Sequence, residues 1–410
     1  DAQNAVTFGY LKELPRRQEL RDRLGRLLDY ERESAPFEEG GYTYFYRNAG
    51  LQNQSVIYRT DKSGVERVFL DPNTLSPDGT TSVSSLSFSP SGKLAAYQKS
   101  EGGADWRSVE VLNAETLSVI DRIDDVKFSG IAWRGEAGFY YSRYDVQDGE
   151  ELTAKTDQHR LYFHKVGQPQ AADDMVFGDG ETFRYVSGYV TEDQRFLVVY
   201  ASNTTAGNRL FVMDLNDPRG QLVNVVDDET ADISVIFSQD GMLYAQTNRA
   251  APNSRLVKFN LQAPTAWQDV IPESEHVLDA SAVGGYFFAQ YMVDAIARVE
   301  QYSLDGERLR EIVLPGPGDA SGFRGKAKDT VAYYSFHNYK TPSTLFRLEL
   351  ASGDSSVFRA SKADFDSAGY VSKQVFYSSK DGTRVPMIIT HRADLDQNQT
   401  HPTMLYGYGG

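Results

Sequence analysis

Residues 238–248 read SQDGMLYAQTN, a polar turn followed by a short run of apolar and aromatic residues. The same phrase occurs at six other places: GGYTYFYR from Gly40, SPSGKLAAYQ from Ser89, GEAGFYYSRY from Gly135, TEDQRFLVVYAS from Thr191, VGGYFFAQYM from Val283 and AKDTVAYYSF from Ala327. The copies follow one another at ~40–50 residues, the spacing of four-stranded propeller blades. A two-sheet β-sandwich is the competing architecture, but it does not explain evenly spaced copies. The sequence therefore predicts a mainly β chain with a seven-bladed β-propeller over residues 39–364.

Further strands are expected between the copies. Residues 109–112, 210–215, 256–261, 299–304 and 344–350 form short segments before turns, and apolar and polar side chains alternate along them. Alternation places one face of each strand in the packing between neighbouring blades.

The composition narrows the classes of function. The chain has 410 residues, with 42 Lys and Arg against 57 Asp and Glu, which gives a net charge of −15. This acidic balance argues against nucleic acid and anionic membranes as partners, because both need a basic surface. The absence of cysteine excludes disulfides and thiolate catalysis. The sequence also lacks an apolar run of the roughly eighteen residues that a membrane span requires.

Residues 1–38 are predicted to be helical. Their leucines recur every three to four residues, and arginines mixed with acidic residues occupy the other face. Pro15 interrupts this pattern, so two helices are expected, and Ala35-Pro36 ends the zone. We expect the apolar face of these helices to contact the segment that follows Phe365, because it needs a surface to cover it.

The repeat breaks off after Asp366. Residues 372–379 and 385–391 are predicted to be paired strands joined by a hairpin turn at 380–383. Residues 403–406 are predicted to be a buried strand that leads into a glycine-rich loop. This series resembles the first strands of an α/β-hydrolase sheet, and a fragment of an eighth blade is the alternative. Because the chain opens inside a helix and stops in that loop, we expect it to be a piece of a larger protein.

Complete catalytic motifs are absent from the sequence. It contains no G-x-S-x-G nucleophile elbow, H-E-x-x-H pair, phosphate-binding loop or dinucleotide fingerprint. The six histidines are interpreted as surface or packing residues. The acidic pairs that begin at Asp124, Asp173 and Asp227 lack the spacing of a calcium loop, so no metal site is predicted.

Several stretches resemble the prolyl oligopeptidase family of serine peptidases, which cleave short peptides after proline. They are QNAVTFGYLKELPRRQELRDRL at 3–24, RNAGLQNQ at 47–54, VKFSGIAW at 126–133, TNRAAPN at 247–253, VFYSSKDGT at 375–383 and LYGYGG at 405–410. The resemblance covers essentially the whole chain and points to a bacterial member of the family. The Gly409-Gly410 ending resembles the prolyl branch rather than the branch with basic-residue specificity.

The resemblance implies a seven-bladed propeller that covers an α/β-hydrolase domain built from both chain ends. Residues 1–38 and 365–410 would then belong to the hydrolase domain, and residues 39–364 to the propeller. The catalytic Ser, Asp and His would lie beyond Gly410, so the 410 residues alone are expected to be inactive. Two residues match functional positions of the family. Tyr408 corresponds to the oxyanion-hole tyrosine, and Phe128 to a propeller residue that reaches the substrate pocket.

The resemblance therefore predicts a serine endopeptidase that hydrolyses short peptides on the C-terminal side of proline, with the propeller limiting substrate size. It implies no cofactor, short proline-containing peptides as partners, and a monomer. Two alternatives stay open: a non-enzymatic propeller that binds a peptide or protein, and a family relative with basic-residue specificity. The location is expected to be cytoplasmic, with the periplasm as the alternative, because neither cysteine nor a signal peptide is visible.

Overall fold

The computed structural model describes residues 2–145 and 156–407. Two helices open the chain, α1 (Ala2–Glu13) and α2 (Arg17–Leu28), with Pro15 in the break between them, as predicted. The helical zone is shorter than the sequence indicated, because α2 ends at Leu28 and two strands, β1 (Arg32–Glu33) and β2 (Phe37–Glu39), precede residue 40. These residues are extended because β1 and β2 both pair with the next strand, Tyr42–Asn48, which belongs to the first copy of the repeat.

In the described part of the chain the repeat forms seven sheets, each built from one contiguous stretch. The first contains β1, β2, β3 (Tyr42–Asn48), β4 (Val56–Thr60) and β5 (Glu66–Leu70). The second contains β6 (Thr81–Phe88), β7 (Leu94–Glu101), β8 (Arg107–Asn113) and β9 (Val119–Val126), and the third β10 (Ala132–Arg134), β11 (Gly138–Arg143), β12 (Arg160–Lys165) and β13 (Asp174–Phe177). The fourth contains β14 (Tyr185–Val190), β15 (Phe196–Ser202), β16 (Arg209–Asp214) and β17 (Leu222–Val226).

The remaining three sheets follow the same order. The fifth contains β18 (Ile233–Gln239), β19 (Met242–Thr247), β20 (Arg255–Phe259) and β21 (Gln268–Ile271). The sixth contains β22 (Leu278–Val283), β23 (Tyr286–Val293), β24 (Ile296–Ser303) and β25 (Arg308–Glu311), and the seventh β26 (Asp319–Arg324), β27 (Val331–His337), β28 (Thr344–Glu349) and β29 (Ser355–Arg359). The strands that the repeat predicted are β3, β7, β11, β15, β19, β23 and β27. Each is the second strand of its sheet when β1 and β2 are counted together as the first strand of the first sheet.

Every sheet is an antiparallel meander, and the first strands of successive sheets, such as β6 and β10 or β22 and β26, contact one another. These strands line the centre, so the seven-bladed propeller is confirmed. In the first blade β1 and β2 pair with opposite ends of β3, Arg32 with Asn48 and Phe37 with Tyr44. They therefore form one innermost strand, interrupted at residues 34–36.

The apolar core lies in layers between blades rather than at the centre of one sheet. One layer packs Val198 and Val212 of the fourth blade against Leu243 and Val257 of the fifth. This arrangement explains the alternation along the strands, because each blade buries one set of side chains against each neighbour.

Both chain ends leave the propeller on the same face. In an antiparallel four-stranded blade, the turn between the second and third strands and the linker to the next blade lie on one side, here called the upper face. The chain enters the first blade at Arg32 and leaves the seventh at Arg359, both on the upper face.

A hairpin of β30 (Tyr370–Ser378) and β31 (Arg384–Arg392) follows the seventh blade, as predicted. It lies beside the sixth blade, where the Gln374 amide donates to the Asp294 carbonyl and Arg384 Nη1 is 3.5 Å from the Asp294 carboxylate. The predicted strand at 403–406 is wrong, because residues 401–407 have no regular structure and Met404 and Leu405 are exposed. A strand needs a neighbour for its backbone hydrogen bonds, and the described residues provide none there.

The two helices have no buried residue, and Leu20, Leu24 and Leu28 are each about half exposed. Their apolar face is therefore not packed against a blade. Neither helix, nor any other described helical segment, has the length and apolar character that crossing a membrane requires.

Candidate functional site

Phe128 lies on the upper face, in the linker from β9 of the second blade to β10 of the third. Its backbone is left-handed, with φ at 52°, and 44% of the residue is exposed. This conformation is unfavourable for a bulky residue, and such strain is concentrated at functional sites. The sequence-predicted substrate residue is thus an apolar ring presented to the face from which both chain ends leave.

Three further aromatic residues surround Phe128 and form what we call the upper aromatic cluster. The Phe128 ring centroid lies 6.4 Å from Tyr144 and 5.8 Å from Tyr185, and Trp106 lies 6.5 Å from Tyr144. Tyr144 follows β11, Tyr185 begins β14 and Trp106 precedes β8, so three consecutive blades contribute. Tyr144 makes edge-to-face contacts with Phe128 and Trp106, which add stability beyond apolar burial and hold these rings in fixed orientations.

A lysine supports the cluster from one side. Lys127 Nζ lies 5.0 Å from the Trp106 ring centroid and 5.1 Å from that of Phe128, and 4.0 Å from the Asp105 carboxylate. The ammonium group is attracted to both ring faces and is partly neutralised by Asp105. Its aliphatic stem therefore adds to the apolar wall while one cation stays beside it.

The cluster is suited to binding and not to proton transfer. Burial raises the pKa of the Tyr144 phenol, and its hydroxyl donates to the Arg184 carbonyl. Among the described residues no serine hydroxyl contacts a histidine ring. The cluster can thus receive an apolar peptide side chain, whereas nucleophilic catalysis needs groups that it does not contain.

Two of the six histidines are buried. His159 donates to the Lys127 carbonyl and accepts from the Val186 amide, and His164 lies between the carboxylates of Asp121 and Asp173. Across 2–145 and 156–407, no group of three or more histidine, aspartate or glutamate side chains is arranged to hold a metal ion.

A polar concavity of about 440 Å³ also opens on the upper face, between the fourth and fifth blades. Its lining is mainly hydroxyl and amide groups, including Thr204, Asn208 and Asn248. Asn208 and Asn248 already form hydrogen bonds within the protein, the first to Ile233 and the second to Asp232.

The second predicted site residue, Tyr408, lies outside the described residues. Sequence reasoning missed Trp106, Tyr144 and Tyr185 as partners of Phe128. One signal was present, because Tyr144 is an aromatic residue placed directly after a repeat strand, where turns are usually polar.

Comparisons with known proteins agree with this architecture. Residues 1–361 match the family model described as prolyl oligopeptidase, N-terminal beta-propeller domain. The chain is 46% identical over 410 residues to the prolyl endopeptidases of Elizabethkingia miricola and Elizabethkingia meningoseptica, an alignment that covers 98% of this chain and 58% of theirs.

Solved structures give the same result. A prolyl endopeptidase structure superimposes with a TM-score of 0.87 at 27% identity, covering 96% of this chain and 59% of that one. Prolyl oligopeptidase B from Galerina marginata, bound to a 25mer macrocyclization substrate, superimposes with a TM-score of 0.86 at 27% identity and the same coverage. The chain thus spans about three fifths of the length of these relatives. A family match over most of its length, together with the seven blades, shows that the chain belongs to the prolyl oligopeptidase family.

Proposed function

We propose that this chain is the propeller-bearing part of a serine endopeptidase that hydrolyses short peptides on the C-terminal side of proline. The observation that carries the proposal is the upper aromatic cluster around Phe128, in a chain that is 46% identical to prolyl endopeptidases. Proline has no backbone N–H to donate and presents an apolar ring, so a site that binds it needs apolar walls. An exposed ring in a strained linker supplies such a wall.

The upper face has the properties of a domain interface. Exposed apolar residues occupy its turns and linkers, among them Leu51, Val277, Met292, Val313 and Tyr339. Large apolar side chains that are exposed on one face are candidates for an interaction site. We propose an α/β-hydrolase domain as the covering partner, because both chain ends leave from this face and the chain spans 58% of the Elizabethkingia relatives.

The domain boundaries follow from the same argument. Of residues 1–38, the part that contains α1 and α2 would belong to the hydrolase domain, together with residues 365–410. The half-exposed leucines of α2 support this assignment, since an amphipathic helix normally covers an apolar surface. The hairpin of β30 and β31 would open the hydrolase sheet, and β1 and β2 would stay with the propeller.

The chemistry would be acyl transfer by a Ser-His-Asp triad supplied by residues beyond Gly410. Tyr408 would donate a hydrogen bond to the oxyanion that forms when serine attacks the peptide carbonyl. Glycine on both sides of Tyr408 leaves room for a substrate close to the backbone. Phe128 would contact a substrate residue near the proline, and the propeller would exclude folded proteins from the space beneath it.

The test compares the full-length enzyme with the 410-residue chain on succinyl-Gly-Pro and benzoyl-Arg chromogenic reporters. We expect the full-length enzyme to cleave the proline reporter and the 410-residue chain to cleave neither. A preference for the arginine reporter would contradict the proline specificity. Equal binding of proline peptides without cleavage by either protein would favour the non-enzymatic alternative.

A further inference from the structure

His159 sits directly behind the upper aromatic cluster, and its ring is not exposed. It precedes β12 in the third blade, and its backbone N–H donates to the Phe183 carbonyl at 2.8 Å. The Val186 amide of the fourth blade donates to His159 Nδ1 at 2.8 Å, and Nε2 donates to the Lys127 carbonyl at 3.0 Å. One ring therefore joins the linker that carries Phe128 to the strand that begins at Tyr185.

The protonation state of the ring follows from these partners. An amide N–H can only donate, so Nδ1 must be an acceptor and Nε2 must carry the hydrogen. Burial lowers the pKa of His159 to about 4, and the ring is accordingly neutral near pH 7. The neutral ring satisfies both hydrogen bonds at once.

The same ring supports a second wall of the cluster. It stacks on Tyr144 with 4.2 Å between centroids and an interplanar angle of 18°. Tyr144 is held at its other end by the hydrogen bond to Arg184 and meets the Phe128 ring edge-on. His159 thus contacts the peptide group next to Phe128 and the aromatic ring against which Phe128 rests.

Two other contacts between neighbouring blades use carboxamide side chains. Gln54 donates to Thr81 and accepts from Val83, and Gln246 donates to Leu278 and accepts from Ala280. Both glutamines present one donor and one acceptor to the first strand of the next blade, whereas His159 joins the linker at Lys127 to the first strand of the fourth blade at Val186. A glutamine at position 159 also carries one donor and one acceptor, so it can replace the two ring nitrogens without the flat ring.

We propose that His159 is a positioning residue for substrate binding, which fixes the Lys127–Phe128 linker and the Tyr144 ring so that Phe128 faces the peptide. This inference rests on the proposed function. A residue that orients a binding wall and does not touch the reacting atoms affects KM and leaves kcat nearly unchanged.

The test uses the full-length enzyme with His159→Gln and His159→Leu, each also combined with Phe128→Ala. We expect His159→Leu to raise KM for a succinyl-Ala-Gly-Pro reporter about 5- to 20-fold, with kcat per titrated active site within about twofold. His159→Gln should restore most of the affinity. In the Phe128→Ala background, His159→Leu should change KM by less than about twofold, because the wall it positions is gone.

A second measurement does not depend on peptidase activity. In the 410-residue chain, hydrogen exchange of the Val186 amide, which donates to His159 Nδ1, should accelerate at least tenfold in His159→Leu and stay close to the wild type in His159→Gln. Unchanged exchange, a loss confined to kcat, or an equal KM effect in the Phe128→Ala background would each overturn the inference. Absence of proline cleavage by the wild-type enzyme would instead contradict the proposed function, and with it the effect on KM.

Discussion

Arg359, in the last strand of the seventh blade, places its Nε atom 2.6 Å from the carboxylate of Glu33 in the innermost strand of the first blade. The Glu33 side chain is only 5% exposed, and Arg47 contacts it as well. Lys326 Nζ lies 2.8 Å from the Glu39 carboxylate at the opposite face. Within the described residues no strand is shared between the two blades, so ion pairs join the ends of the ring at both faces.

Glu33→Gln should therefore destabilise the 410-residue chain by about 2 kcal/mol, between the values for exposed and buried pairs. The reason is that two arginines lose their shared carboxylate. Urea unfolding measures the effect. Asp217→Asn, which breaks the exposed pair between Asp217 and Arg219, is the matched control and should leave the midpoint unchanged. Equal urea midpoints for the wild type, Glu33→Gln and Asp217→Asn would show that the Glu33 ion pairs do not stabilise the closed propeller.

His164→Leu should destabilise the chain by about 3 kcal/mol or more, because the ring separates two carboxylates from different blades. His164 Nδ1 lies 2.8 Å from Asp173 and Nε2 lies 3.0 Å from Asp121, and all three side chains are buried or nearly so. The triple variant that adds Asp121→Asn and Asp173→Asn should recover part of the loss in urea unfolding. No recovery would mean that the ring acts through packing alone.

The chain should lose stability between pH 6.5 and pH 4 through His159. Its pKa is lowered to about 4 by burial, whereas an unfolded histidine titrates near ~6.5. In this window the unfolded chain binds a proton that the folded chain does not, so stability falls as the pH falls. The loss should reach about 2–3 kcal/mol by pH 4.5 and be absent from His159→Gln, which carries the same carboxylates. Parallel pH profiles of the two proteins would contradict this.

Phe128→Ala in the full-length enzyme should raise KM for proline peptides about tenfold, with kcat little changed. Leu117→Ala is a well-matched control, because Leu117 is also partly exposed with a left-handed φ of 61° but lies in the turn between β8 and β9, on the opposite face. Steady-state kinetics gives KM and kcat for both variants, and we expect only Phe128→Ala to raise KM. If the two substitutions have the same effect, Phe128 has no special contact with the substrate.

If Tyr408 is the oxyanion donor we propose, Tyr408→Phe should lower kcat of the full-length enzyme by ~10²–10³, because the substitution would remove the donor and keep the ring. Tyr406→Phe, two residues earlier in the same pentapeptide, is the control and should retain most activity. The loss should be smaller for activated esters, whose barrier is lower. If the Tyr408→Phe enzyme keeps a nearly normal kcat on a peptide, when chemistry is rate-limiting, Tyr408 is a packing residue.

The blade count could be predicted from sequence because the second strand of every blade follows a polar turn and carries several apolar or aromatic residues. Phe139, Phe196 and Leu243 in three of these strands are fully buried, and all seven strands follow a polar turn, so their segments resemble one another. The innermost strand of the first blade could not be recognised in this way. It contains Pro36 and consecutive glutamates, and its extended form depends on pairing with β3.

The site was less accessible to sequence reasoning. The family resemblance pointed to Phe128, but the residues that hold it come from positions 106 to 185 and meet only through the packing of three blades. His159 was interpreted as a surface or packing residue, since nothing in its local sequence indicates bonds to Lys127 and Val186. The wrong prediction at 403–406 has a different cause. The apolar pattern there indicates a strand, but the described residues offer no neighbouring strand to pair with it.

The building of each blade from one contiguous stretch has a consequence for synthesis. All backbone pairing of a blade joins residues close in sequence, so a blade can complete its sheet soon after it leaves the ribosome. The ion pair between Glu33 and Arg359 is different, because it can form only after nearly all of the propeller has been synthesised. During that interval the flank of the first blade that will face the seventh is uncovered, which leaves it open to chaperones and to misassociation.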